Sequence, residues 1–203
     1  KVHMMEGRPG HRMSKKLQLA FSERRIRKGI YRMYARLRPY HLIGAIGGFL
    51  TALTAIISLA VSTSYYISAE WVIIVNMLLI GSNGLIATYF FGAFSASRDS
   101  LIKVGSLIAG IGLGFNVLIS ILQMAGVYVF VLALLGALVM MAGVVIACIK
   151  FIMLFQRDAF VVVFCVFIFL GLLLSLFWTW ASLISGAGLG GLLIYFYVHN
   201  ITY

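Results

Sequence analysis

The chain has 203 residues, of which 63% are hydrophobic and only 10% charged, with a net charge of +11. A soluble domain carries about 25% charged residues, so a water-excluded globular core is not the main environment of this chain. The mean hydropathy of +1.07 points instead to burial in lipid and against neighbouring helices, in one compact unit.

The positive charge is gathered at the start. Residues 1–40 hold 12 of the 16 Lys and Arg and two of the five acids, a net charge of about +10. A basic segment beside a membrane span is drawn to anionic headgroups by roughly 1 kcal/mol per basic residue. The same charge suits nucleic acid or an acidic partner. This arm is Arg-rich and acid-poor, as organelle transit peptides are. The first residue is Lys1, which suggests processing or truncation. The arm is read as part of the mature chain.

Residues 1–13 contain Gly7, Pro9 and Gly10 without periodicity and read as an irregular tail. Residues 14–38 change character. Leu19, Ile26, Ile30, Met33 and Leu37 fall on one helical face, and Arg24, Arg25, Lys28, Arg32 and Arg36 on the other. This is an amphipathic helix of the kind that lies in a membrane interface or packs on a partner subunit. Its expected contacts with anionic lipid or nucleic acid are Arg24, Arg25, Arg27, Lys28, Arg32 and Arg36. Pro39 is expected to end it and turn the chain into the membrane.

From His41 to His199 the sequence is almost continuously apolar, interrupted by Glu70, Arg98, Asp99, Lys103, Lys150, Arg157 and Asp158. A run of about 18 apolar residues reads as a membrane span. The block predicts an all-α membrane protein with a six-span helix bundle. The spans fall at 42–67, 71–94, 101–124, 127–154, 160–181 and 185–199, forming three hairpins. The last apolar run is split near Ser182–Ser185. The alternative is five spans, with one long tilted helix and a Gly-rich re-entrant tail.

The basic residues set the orientation. The arm, Arg98 with Lys103, and Lys150 with Arg157 fall on one side, so both termini are expected on the cytoplasmic or equivalent side. Tyr65, Tyr66, Trp71, Tyr128, Trp178 and Trp180 then form an aromatic belt opposite. The sequon at Asn200, Ile201 and Thr202 faces the wrong side for glycosylation. Arg98-Asp99 and Arg157-Asp158 recur at the two charged loops, with Arg38-Pro39 placed similarly, which hints at a repeated hairpin. Each Asp precedes a span and can cap its free N–H groups. Lys150 is expected to snorkel to the interface.

Polar residues within the spans are the most informative, because hydrocarbon makes them costly. In the third span Gly105, Ala109, Gly112, Asn116, Ser120 and Gln123 form a small-and-polar stripe on one face. Asn76 and Asn83 share a face of the second span. Asn76, Asn83, Asn116, Ser120 and Gln123 are therefore expected to form an intramembrane polar cluster, either as glue between helices or as the lining of a path. Gly44, Gly48, Gly105, Ala109, Gly112, Gly186 and Gly190 are the expected close-packing positions. Cys148 and Cys165 read as small buried hydrophobes; they flank one loop at similar depth, and nothing in their spacing suggests a metal site.

Catalysis finds little support. The four histidines, His3, His11, His41 and His199, lie outside the apolar core, and no paired intramembrane carboxylate, metal motif or phosphate loop is present. No cofactor is expected. Ion coupling lacks a buried acid or a proline-broken span. The expectation is a non-enzymatic structural or assembly subunit that forms homo- or hetero-oligomers. The alternative is a passive channel for a small neutral solute, lined by the Asn, Gln and Ser residues of spans two and three.

Overall fold

The computed structural model describes residues 37–63, 69–97, 99–127, 130–155, 158–175, 177–178 and 181–202. The basic arm, with Arg24, Arg25, Arg27, Lys28, Arg32 and Arg36, lies outside these, as do Tyr65, Tyr66, Arg98, Tyr128, Arg157 and Trp180. Among the described residues the chain is helical and has no strands: α1 (Leu37–Ser62), α2 (Ala69–Ala96), α3 (Ser100–Met124), α4 (Phe130–Leu154), α5 (Ala159–Ser175) and α6 (Ser182–Thr202). Helices are the expected outcome for such sequence in lipid, where each backbone N–H and C=O must find its partner within the segment.

Five of the six are long and apolar enough to cross a membrane. α5 has 17 residues, or about 25 Å at 1.5 Å per residue, a little short of a hydrocarbon core of roughly 30 Å. Large apolar side chains such as Phe130, Leu135, Met77 and Ile56 are exposed along the outside of the bundle, as lipid-facing positions must be. Trp71 and Trp178 are exposed too.

Several boundaries differ from expectation. Pro39 does not turn the chain: residues 37–40 are already helical and continuous with the rest of α1. α1 ends at Ser62 rather than near residue 67. Ser62 donates to the carbonyl of Leu59 at 2.9 Å, and Thr63 to that of Ala60 at 2.9 Å. Glu70 is not in the connecting turn but in the first turn of α2, opposing the positive end of that helix's dipole. The last apolar run divides between Ser175 and Ser182, before the expected break. A single long helix is excluded, because α5 and α6 lie side by side. A Cβ on Gly188 would meet Ile168 at 3.2 Å, and one on Gly191 would meet Phe164 at 2.6 Å.

The same contacts fix the topology. Gly47 of α1 lies against Leu85 and Ile86 of α2, and Gly92 of α2 against Tyr40 of α1. Gly110 of α3 lies against Phe91 of α2, and Gly105 of α3 against Ala147 of α4. Gly48 of α1 lies against Gly190 of α6. Sequential helices therefore alternate in direction, and α6 returns to pack on α1. The helices form a closed ring in chain order. One end, the charged end, carries Asp99, Lys150 and Asp158.

Local chemistry sets the helix ends. Asp99 caps α3, its Oδ1 accepting from the N–H of Leu101 at 3.0 Å and of Ile102 at 3.2 Å. α3 stops at Gly126, the one described residue with positive φ, at 80°. The N–H of Val127 donates to Leu122 at 2.9 Å and that of Gly126 to Gln123 at 3.0 Å. This paired closure needs a left-handed residue just beyond the helix, which glycine adopts without a Cβ clash.

Candidate functional site

The stripe of α3 is consumed by α4. A Cβ on Gly105 would stand 3.0 Å from the N of Ala147 and the O of Gly143. One on Gly112 would collide with the backbone of Met140, and one on Gly143 with the backbone of Ala109. Ala109 is wholly buried. Small residues thus interdigitate from both sides, backbone against backbone, along about two turns of each helix.

The polar half of the stripe follows the same seam. A Cβ on Gly136 of α4 would lie 2.8 Å from Oδ1 of Asn116. Nδ2 of Asn116 donates to the Met140 sulfur at 3.6 Å. Ser120 is buried and donates to the Asn116 carbonyl at 2.9 Å. Gln123 is partly buried at the end of the stripe. Asn76 and Asn83 lie on α2, the first buried and the second partly so, whereas the Asn116 amide is directed at α4. The sequence period identifies which face of a helix is special, but not which neighbour meets that face.

The remaining close-packing positions build a second seam, between α1 and α6. A Cβ on Gly44 would meet Leu193 at 2.6 Å, one on Gly48 the N of Gly190 at 2.6 Å, and one on Gly186 the N of Ala52 at 2.8 Å. Gly190 lies against the Phe49 ring. Buried hydroxyls beside these seams bond their own helix: Thr54 donates to Leu50 at 2.7 Å, and Ser82 to Leu79 at 3.1 Å. Among the described residues no buried side-chain nitrogen or oxygen lacks a hydrogen-bond partner.

The charged end holds two matching clasps. In the α3–α4 hairpin, Asp99 uses Oδ1 for its cap and Oδ2 for Lys150 near the end of α4, at 2.9 Å. In the α5–α6 hairpin, Asp158 accepts from the N–H of Phe160 with Oδ1 at 3.1 Å. Its Oδ2 accepts from the hydroxyl of Tyr195, near the end of α6, at 2.6 Å. Each carboxylate therefore starts one helix and ties it to the end of the next. The Lys150 ammonium, hydrogen-bonded to Asp99, holds that carboxyl below the usual carboxylate range, helped by the N–H groups of Ile102 and Leu101. Lys150 does not merely reach for the interface, because its ammonium has a specific anionic partner.

Between the clasps lies an aromatic plug centred on Phe196. Its ring lies 5.7 Å from His41 of α1, 5.3 Å from Phe151 of α4 and 5.4 Å from Phe155. His41 also faces Tyr89 of α2 at 5.8 Å and is buried, a correction to its expected place outside the apolar core. The ring of Tyr195 stacks on Phe160 at 5.7 Å and lies tilted against His199 at 3.8 Å. The Arg38 guanidinium sits over the Tyr197 ring at 5.2 Å.

Sequence reasoning identified the two aspartates as caps but not as clasps. A signal was available for one of them: Asp99 and Lys150 lie at the same end of one hairpin, with opposite charge. No comparable signal marks Tyr195, whose position looks like an ordinary interfacial ring. Among the described residues, no group of three or more His, Cys, Asp and Glu stands together as a metal site would require. The chain matches no family model, no curated protein and no solved structure.

Proposed function

We propose that the protein is a non-enzymatic membrane scaffold, a structural or assembly subunit whose helix ring carries the basic arm to an anionic surface. The observation that carries this reading is the α3–α4 seam. The stripe best suited to line a polar path packs backbone to backbone against Met140, Gly143 and Ala147, and seats its Asn116 side chain against Gly136 and Met140. The plug around Phe196 supports it, because rings from α1, α4 and α6 meet at the charged end. A scaffold needs a stiff, well-packed bundle and a binding surface, and it needs no chemistry within the bundle. The arm, with about +10 of net charge in residues 1–40, supplies attraction to anionic headgroups, nucleic acid or an acidic partner. Under this reading the arm and the charged loops face the cytoplasmic or equivalent side.

The test reconstitutes the full chain in vesicles and measures three quantities: mass of the complex, leakage of a neutral solute such as glycerol, and vesicle binding through the arm. A scaffold gives a discrete complex larger than one 22.4 kDa chain and no leakage above protein-free vesicles. It also gives binding to anionic vesicles that weakens steeply with salt and is lost when residues 1–36 are removed. A monomer that conducts glycerol would overturn the proposal.

A further inference from the structure

Two thiols have no part in the seams, the clasps or the plug. Cys148 lies six residues before the end of α4, and Cys165 six residues after the start of α5. Antiparallel helices joined by a short connection bring such positions to one depth, here about 9 Å in from the helix ends. Both thiols are free and buried, and each side chain is the other's electrostatic neighbour.

Their location in the ring adds a second argument. The α4–α5 junction is the thinnest contact between successive helices from α2 to α6. The glycines that tighten other junctions are used elsewhere: Gly136 and Gly143 of α4 face α3, and Gly171 of α5 faces Ser185 of α6. The thiol pair sits where the ring has no glycine seam.

We propose that Cys148 and Cys165 form a redox pair whose oxidation to a disulfide staples α4 to α5 at the ring's thinnest junction. The oxidant suited to a pair in this place is a lipid hydroperoxide, which resides in the same apolar layer. Both thiols are buried, and either can react first to give the same products; Cys148 is taken as the first. Its sulfur takes the terminal oxygen of the hydroperoxide, the O–O bond breaks and the lipid alcohol leaves with the proton, giving a sulfenic acid. The Cys165 sulfur then displaces the hydroxyl, which departs as water with the Cys165 proton, and the S–S bond forms. Two thiols and one hydroperoxide become one disulfide, one alcohol and one water; the two sulfurs supply the two electrons that reduce the O–O bond. A dithiol reductant restores the open pair. This inference is independent of the scaffold reading.

The test treats the full chain in lipid vesicles with cumene hydroperoxide, followed by intact mass, peptide mapping and an unfolding titration. The intact mass is expected to fall by about 2 Da, the two hydrogens lost. Mapping should find Cys148 joined to Cys165 within one chain, and the unfolding midpoint should rise until reductant is added. Cys148→Ser and Cys165→Ser should show no loss of mass and no rise in midpoint. The wild-type comparison suffices if either variant fails to insert. The nine methionines report the oxidant dose. If both thiols stay open to alkylation while methionine sulfoxide accumulates, the proposal is wrong. It is equally wrong if the disulfide joins two chains, or if it forms without moving the midpoint.

Discussion

Asp99 does two things with its two oxygens. Oδ1 ends the free N–H groups of α3, and Oδ2 holds Lys150 of α4. Substitution separates these roles. Asp99→Asn keeps an acceptor for the cap but loses the charge; Asp99→Ala loses both. The alanine variant should be less stable than the asparagine variant by about 1 kcal/mol, the usual worth of an N-cap. The ion pair itself adds little at a partly exposed site. Its signature is pH dependence. Lys150 lowers the Asp99 carboxyl in the folded protein, so the pair's contribution is complete above the ordinary carboxylate range. It fades as pH falls through the lowered Asp99 value. An unfolding titration across acid pH should show this loss in the wild type and a flatter profile in Asp99→Asn. Equal profiles would mean that the pair does not hold in solution.

At the scale of helices, the seams depend on glycines that are not equivalent to one another. Gly143 has no room for a side chain, because the backbone of Ala109 stands against it. Gly114 lies one turn from Gly110 on α3 and has nothing within 4 Å of a built Cβ. Gly143→Val should destabilise the bundle by at least the 1–3 kcal/mol or so typical of overpacking. Gly114→Ala should be neutral or stabilising by up to about 1 kcal/mol, the helix propensity difference. Both are measurable by SDS titration of the purified protein.

Sequence predicted much at this scale for a simple physical reason. Long apolar runs admit one backbone solution in lipid, so the helices could be located, and a recurring step of three or four residues located the tight face of α3. Three features escaped. The hairpin partner of that face is a property of the assembled ring and not of the period. The end of α1 at Ser62 coincides with the polar run Ser62-Thr63-Ser64-Tyr65-Tyr66, a signal read as the interfacial end of a longer span. The burial of His41 depends on rings contributed by α2 and α6, more than forty residues away.

For the whole molecule, the central claim is that the polar stripe of α3 is a dry helix seam and that the bundle is a scaffold. Two features of the ring agree with this. Its most polar intramembrane face is turned to a neighbour, and its outer surface is large and apolar. The most direct measurement is thiol accessibility in reconstituted vesicles, using the Cys148→Ser/Cys165→Ser background. Asn116→Cys and Ser120→Cys are probed with a membrane-impermeant maleimide supplied on both sides, and Ser100→Cys, at an exposed position of the charged end, is the control. The account predicts full labelling of Ser100→Cys and none of Asn116→Cys or Ser120→Cys in protein of unchanged helix content. Labelling of the two stripe positions at a rate comparable to the control would contradict it, since water would then reach the seam that the account requires to be closed.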